Sequence, residues 1–268
     1  MLTQYSTEKI LTDGKKPKGL AKIWWKLKRP FGHLLVLFQC HKGNSCKESC
    51  RKESTWIDSS QKYWNERYES GGNSGAGSYG KFASWKAEIL NGFVKKKNIQ
   101  SVIELGCGDG NQLSLAEYSS YLGFDVSERA VEMCRERFEN DHTKSFKIMN
   151  EHHGEKAELS LSLDVIYHLV EDGVFENYMR RLFESSNRFV IVYSSNDESM
   201  NANTAPHVRH RKFTEWIDKN CPGWQLLKSI PNKYPYQGDH LEGSFANFFF
   251  YEITQDELHN SKKVSCDK

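Results

Sequence analysis

The ten residues Val102-Ile-Glu-Leu-Gly-Cys-Gly-Asp-Gly-Asn111 constrain this chain more than any other stretch. They read as a short buried strand carrying an acidic residue, Glu104, followed by glycines at 106, 108 and 110 where the backbone must turn sharply. Glycine at such a turn supplies positive φ and lets the backbone approach a ligand with no Cβ in between. A second acidic residue, Asp125, closes the next apolar run, Tyr121-Leu-Gly-Phe-Asp125. An acid at the end of the second strand of an α/β unit is placed to accept hydrogen bonds from a ribose diol. Together these residues imply a nucleoside-containing cofactor.

The glycine spacing separates that cofactor from a dinucleotide. The dinucleotide fingerprint runs G-x-G-x-x-G and seats a pyrophosphate on a helix N-terminus. Here the pattern is Glu104-x-Gly106-x-Gly108-x-Gly110 with Asp109 inside the loop, and no P-loop Lys-Ser/Thr follows. An aspartate would repel a pyrophosphate but suits a ligand ending in a zwitterionic amino acid and a sulfonium. A plain glycine-rich turn of any α/β protein is the competing reading, and the tandem with Asp125 argues against it. These residues resemble the first motif of class I S-adenosylmethionine-dependent methyltransferases. The resemblance implies S-adenosyl-L-methionine as cofactor.

At 268 residues, one domain with appendages is expected. No apolar run reaches the roughly 18 residues that a membrane span needs. The net charge of +2 hides an asymmetry: residues 1–52 hold 12 Lys/Arg against 3 Asp/Glu, leaving −7 on the remainder. Seven cysteines stand at 40, 46, 50, 107, 134, 221 and 266. Their odd number, with Cys107 inside the glycine turn, points to a reducing compartment. Cys40, Cys46 and Cys50 with His41 lack C-x-x-C spacing, which disfavours a zinc knuckle. No signal peptide is expected, so a cytoplasmic chain is.

The spacing divides the chain into a basic aromatic arm and linker over 1–55, a helical part with a glycine-rich lid over 56–95, the α/β domain over 96–255 and a polar tail over 256–268. In the arm, Trp24 and Trp25 among lysines precede the aliphatic run from Leu34 to Phe38. Peripheral membrane contact through residues 19–38 and packing or oligomer contact both fit these ingredients. Nucleic acid does not, because the basic residues stop where the catalytic domain begins. Helices are expected from Gln61 and over 82–93, 111–117, 127–139, 170–184 and 212–220. Ser127 serves as an N-cap, with Ala130, Val131, Cys134 and Phe138 behind it as one stripe. Strands are expected at 101–105, 120–125, 144–149, 159–164, 188–194, 225–230 and 246–253. The fold class is α/β: a seven-stranded, mostly parallel Rossmann-like sheet with helices on both faces. The last strand follows the sixth without a crossover helix and is expected to insert antiparallel.

Ligands of such sheets sit at the carboxyl ends of the strands. Besides Glu104, Gly106, Gly108 and Asp125, the cofactor candidates are Asn150, Tyr79 and Lys86. Asn150 follows the third strand, where the resemblance implies a contact to the adenine amino group. Tyr79 ends the stretch Ser70-Gly-Gly-Asn-Ser-Gly-Ala-Gly-Ser-Tyr-Gly80, either a mobile lid or a passive linker. Lys86 is a candidate for the methionyl carboxylate or an ordinary solvated lysine. Asp164 and His168, four apart after the fourth strand, are the catalytic candidates, with His168 a general base for an alcohol acceptor. A structural histidine is its alternative reading. No metal is expected, because Tyr167 stands where metal-dependent relatives carry a carboxylate. His207, Arg209, His210 and Arg211 form a candidate anion site or a surface charge run.

Over residues 61–255 the chain looks like bacterial methyltransferases of surface-polysaccharide biosynthesis, such as those that decorate capsules. The motifs are Tyr63-Trp64, the glycine-rich lid, Gly108-Asp-Gly-Asn-Gln112, Ser162-Leu-Asp-Val-Ile-Tyr-His168 and His207-Val-Arg-His-Arg211. The resemblance implies an O-methyltransferase acting on a small-molecule or glycan acceptor: an anionic sugar, nucleotide-sugar, phosphate or phosphoramidate. The alternative function is a non-catalytic scaffold of the same fold that docks a partner through the arm.

Overall fold

The computed structural model describes residues 60–254. The arm of 1–55 with its 19–38 segment, the cysteines at 40, 46 and 50, and the tail of 256–268 lie outside the described residues. Two helices come first, α1 (Ser60–Glu69) and α2 (Gly80–Lys97). Then follow β1 (Val102–Leu105), β2 (Tyr121–Asp125), α3 (Glu128–Arg137), β3 (Lys144–Ile148), β4 (Ala157–Leu163) and α4 (Asp172–Glu184). The chain continues with β5 (Ser186–Ser194), α5 (Phe213–Asn220), β6 (Trp224–Ile230) and β7 (Asn247–Ile253).

The seven strands form one sheet in the order β3-β2-β1-β4-β5-β7-β6. The first five run parallel, and β7 inserts antiparallel between β5 and β6. Every strand lies within two residues of its expected bounds. For β1, β4, β5 and β7 the reason is burial on both faces, which demands near-continuous apolar runs. Successive side chains of β5 alternate between two cores: Phe189, Ile191 and Tyr193 face one, Val190 and Val192 the other. The first core is closed by Trp85, Leu90 and Phe93 of α2 with Val131 and Cys134 of α3. The second is closed by Phe175, Met179 and Leu182 of α4 with Phe213 and Ile217 of α5. Each such side chain contributes on the order of 2 kcal/mol by leaving water.

Helix α3 starts as its sequence dictates. The Ser127 hydroxyl accepts from the Ala130 amide at 3.4 Å, and Ala130, Val131 and Cys134 are fully buried. The expected helix over 111–117 is not there; a single 3-10 turn, Leu113–Leu115, stands in its place. The polar groups that would extend it are tied to Asn91 of α2. The Asn91 amide donates to the Leu115 carbonyl at 2.9 Å and accepts from the Glu117 amide at 3.0 Å. Tertiary hydrogen bonds thus outcompete a helix of only two turns.

Candidate active site

Strand order reverses between β1 and β4, and the candidate residues gather where these strands end. The turn after β1 holds Gly106, Gly108 and Gly110 at φ of 89°, 58° and 73°. A Cβ on Gly106 would meet Val165 Cγ2 at 2.5 Å, and one on Gly108 would meet Ser74 Oγ at 2.3 Å. These two glycines are therefore also required by the protein that packs against the turn, beyond any ligand. Asp125, at the end of β2, accepts from the Gly108 amide at 2.9 Å and from the Ser127 amide at 3.0 Å. Burial pushes its carboxyl up, against these amide bonds. Each oxygen keeps capacity for a further donor. Glu104 accepts from the Tyr121 hydroxyl at 2.6 Å, and burial pushes it up to about 7 despite that bond. Asn150 follows β3 in a short turn, exposed at the cavity rim.

The glycine-rich stretch between α1 and α2 lies on this turn, held by Asp109. The carboxylate of Asp109 accepts from the Ser74 amide at 2.9 Å, the Tyr79 hydroxyl at 2.7 Å and the Asn111 amide at 3.0 Å. Burial opposes its ionisation, but these bonds together hold it below the usual carboxylate range. The Asp109 amide returns a bond to Ser74 Oγ at 2.9 Å, and Asn111 donates to the Ser78 carbonyl at 2.7 Å. Asp109 therefore faces the covering loop, not a ligand. Tyr79, expected to touch the cofactor, fastens the cover instead and does not line the cavity.

At the end of β4, Asp164 adopts the left-handed conformation at φ 61°. Its carboxylate accepts from the protein on both oxygens: Oδ2 takes the Lys86 ammonium at 2.6 Å and Oδ1 the Tyr167 hydroxyl at 2.8 Å. Asp164 thus anchors Lys86 and lines the cavity together with His168. The Lys86 side chain is 1% exposed, lines the cavity, and lies 5.1 Å from the Tyr193 ring centroid. It is no solvated surface lysine.

His168 follows on a single turn, Ile166–His168, and lines the cavity. Its Nδ1 lies 3.0 Å from the His207 carbonyl oxygen. A carbonyl only accepts, so Nδ1 carries the proton and Nε2 keeps a lone pair. Burial pushes the imidazole down to about 4, outweighing the His207 bond. The ring sits edge-on to Trp64 at 4.9 Å and stacked at 5.4 Å on His207, which stacks in turn on Tyr63 at 4.2 Å.

The 207–211 segment turns most of its polar groups onto the protein itself. Arg211 is buried, with donors on Asp172 at 2.6 Å and on the Leu169 and Val170 carbonyls at 3.1 Å each. Arg209 donates to the Val170 carbonyl at 2.9 Å and pairs with Asp172 at 3.1 Å. His210 is buried against Ser195 Oγ at 2.6 Å. None of the three lines the cavity, and His207 reaches it only through His168. In sequence an arginine cluster looks alike whether its forks meet a ligand or backbone carbonyls, so both readings stayed open there.

The cavity so bounded measures about 330 Å³. It joins Asp125 and Asn150 to Lys86, Asp164 and His168, and adds walls not among the candidate site residues: Trp64, Tyr68, Gln112 and Arg181. Trp64 and Tyr68 stand one helical turn apart on α1, which puts both on the face that lines the cavity. Among the described residues, no group of three or more His, Cys, Asp or Glu is arranged to hold a metal ion. No described helix is long and apolar enough to cross a membrane.

Residues 96–249 match the family model described as a methyltransferase domain. No curated protein matches the chain. Among solved structures, the N-methyltransferase NodS from Bradyrhizobium japonicum WM9, in complex with S-adenosyl-L-homocysteine, is 13% identical with a TM-score of 0.57, covering 74% of this chain and 100% of that one. Magnesium protoporphyrin IX methyltransferase (ChlM) from Synechocystis PCC 6803 with bound SAH is 12% identical with a TM-score of 0.54, covering 72% and 98%. The same enzyme with bound SAM gives 14%, 0.53, 75% and 100%. At these identities the likeness is one of fold.

Proposed function

The chain belongs to the methyltransferase domain family, and on that premise we propose that it transfers a methyl group from S-adenosylmethionine to a hydroxyl oxygen held at His168. The residues present fit the cofactor. Lys86 offers a buried ammonium for a carboxylate, Asp125 has acceptor capacity for ribose hydroxyls, and Asn150 stands at the rim for the adenine. The cofactor's sulfonium, when bound, supplies an electrophilic methyl group.

The remaining chemistry falls to the protein. The acceptor hydroxyl must be aligned, stripped of water and relieved of its proton. Trp64, which lines the cavity and packs edge-on against His168, shields the imidazole on one side. His168 Nε2 accepts the proton that the hydroxyl gives up as its oxygen gains the methyl group. The observation that carries this reading is the Nδ1–His207 bond, which fixes the tautomer with a free Nε2 lone pair.

As acceptor we favour a sugar hydroxyl, in keeping with the resemblance to surface-polysaccharide enzymes. Aromatic rings at the acceptor end, Trp64 with the Tyr63–His207 stack behind His168, support it, since the C–H faces of sugars pack on such rings. A phosphate or phosphoramidate acceptor finds less support, because Arg209 and Arg211 are turned onto the protein's own groups. Isothermal titration tests the cofactor assignment. Heat of binding with S-adenosylhomocysteine and none with NAD is expected; the reverse overturns it.

A further inference from the structure

Tyr63 and Arg67 stand one turn apart on α1 and so share a face of the helix. Arg67 Nη1 donates to the Tyr63 hydroxyl at 3.4 Å, and Nε donates to the Asn73 carbonyl at 2.6 Å. A guanidinium carries five N–H donors, so three remain, and these meet no acceptor among the described residues. No described Asp or Glu forms an ion pair with Arg67. It is a permanent positive charge without a counter-ion there.

That charge lies beside the transfer site. Arg67 Cζ is 5.7 Å from the Trp64 ring centroid, and Trp64 meets His168 edge-on at 4.9 Å. Tyr63 stacks on His207 at 4.2 Å, and His207 stacks on His168 at 5.4 Å. Burial, and after it the Arg67 charge, hold the His207 imidazole below its ordinary range, which leaves it neutral with one N–H donor. Its ring nitrogens make no hydrogen bond among the described residues, and the Tyr63 hydroxyl proton has no acceptor there. Arg67 Nη2 and the His207 nitrogens, though unpartnered, are not shut off from solvent.

Three side chains thus offer donors at one place with no carboxylate among them. A phosphate monoester presents three terminal oxygens and can take one donor from each, and its charge answers the guanidinium. The 5.4 Å between His207 and His168 is about the span of one sugar ring. We propose that Arg67, Tyr63 and His207 form the subsite for a phosphate carried by the acceptor sugar, across the ring from the hydroxyl that faces His168. The phosphate is a handle and receives no methyl group. This rests on the methyltransferase reading and narrows its acceptor to a sugar monophosphate.

The test uses the full chain saturated with S-adenosylhomocysteine and titrated with inorganic phosphate, read from the His207 ring signals by NMR. A saturable shift is expected, with none from chloride at equal ionic strength. Arg67→Gln is expected to weaken phosphate binding by about 10- to 100-fold, as loss of a charged hydrogen bond gives, and Arg67→Lys to restore part of it. Equal losses in the two variants would reduce Arg67 to a brace for the Asn73 loop and overturn the subsite, as would no loss in either. If Arg67→Gln does not fold, Tyr63→Phe takes the same titration; a loss of about 3- to 10-fold is expected, and no loss overturns the proposal. Glucose 1-phosphate is expected to displace the phosphate better than uridine diphosphate glucose, and the reverse order overturns the monoester assignment. Failure of wild type to bind S-adenosylhomocysteine counts against the methyltransferase reading itself. Binding of it without a saturable phosphate shift, or with the same shift from chloride, overturns the subsite alone.

Discussion

A histidine that titrates near pH 4 is a weak base, yet it suits this reaction. An alcohol oxygen that has gained a methyl group is a strongly acidic oxonium, so the base need not be strong once the new bond is advanced. What matters is that the imidazole is neutral and its lone pair directed, and burial with the His207 carbonyl secures both. The sign is definite: the active form is deprotonated, so activity is lost as pH falls through the folded pKa. We expect kcat/KM to stay flat from neutrality down to about pH 5 and to fall near pH 4. His168→Ala is expected to lower kcat by about 10²- to 10⁴-fold and to abolish that limb. A limb centred near 6.5 in wild type would show that the buried environment does not govern the base. His168 was legible from its position after the fourth strand. The role of Asp164 was not, because its partner Lys86 lies 78 positions away and only the fold joins them.

At the scale of elements, the 207–211 segment holds the loop that carries His168. The Arg209 amide donates to the Tyr167 carbonyl at 2.7 Å, His168 donates to the His207 carbonyl, and Arg211 reaches the Leu169 and Val170 carbonyls. These bonds fasten the loop backbone on both sides of the imidazole. Arg211→Ala removes the buried fork and leaves Asp172 and two carbonyls without it. The variant is expected to lose about 10-fold or more in kcat while the acceptor KM changes little, since misplacement by about 1 Å is costly at a transfer step. Steady-state kinetics at saturating cofactor decides it; a raised acceptor KM with normal kcat would restore the anion-site reading. The 111–117 segment teaches the same lesson from the other side. Its apolar spacing fits a short helix, and only Asn91, on another helix, diverts its backbone.

For the molecule as a whole, the central strands were legible because β1, β4, β5 and β7 are buried almost throughout, and burial on both faces writes itself into a near-continuous apolar run. Even the antiparallel insertion of β7 followed from the sequence, since no helix intervenes to carry a crossover. The cavity was half legible: the residues on strand ends announce themselves, whereas Trp64, Tyr68 and Gln112 face it only after α1, α2 and the glycine turn are assembled. The loop fastened by Asp109 has one further consequence, which concerns the sequence of events in turnover. Ser74 and Tyr79 share one carboxylate oxygen and close over the glycine turn where we propose that the cofactor binds. A ligand beneath that cover cannot exchange while the acceptor side is occupied, so the two substrates should enter in a compulsory order, the nucleoside first and its spent form last. Product inhibition reports on this directly. S-adenosylhomocysteine is expected to compete with S-adenosylmethionine and to be noncompetitive against the acceptor, while the methylated acceptor competes with neither. Competition of methylated acceptor with free acceptor, unaffected by cofactor concentration, would mean random entry and a cover that opens independently of the reaction.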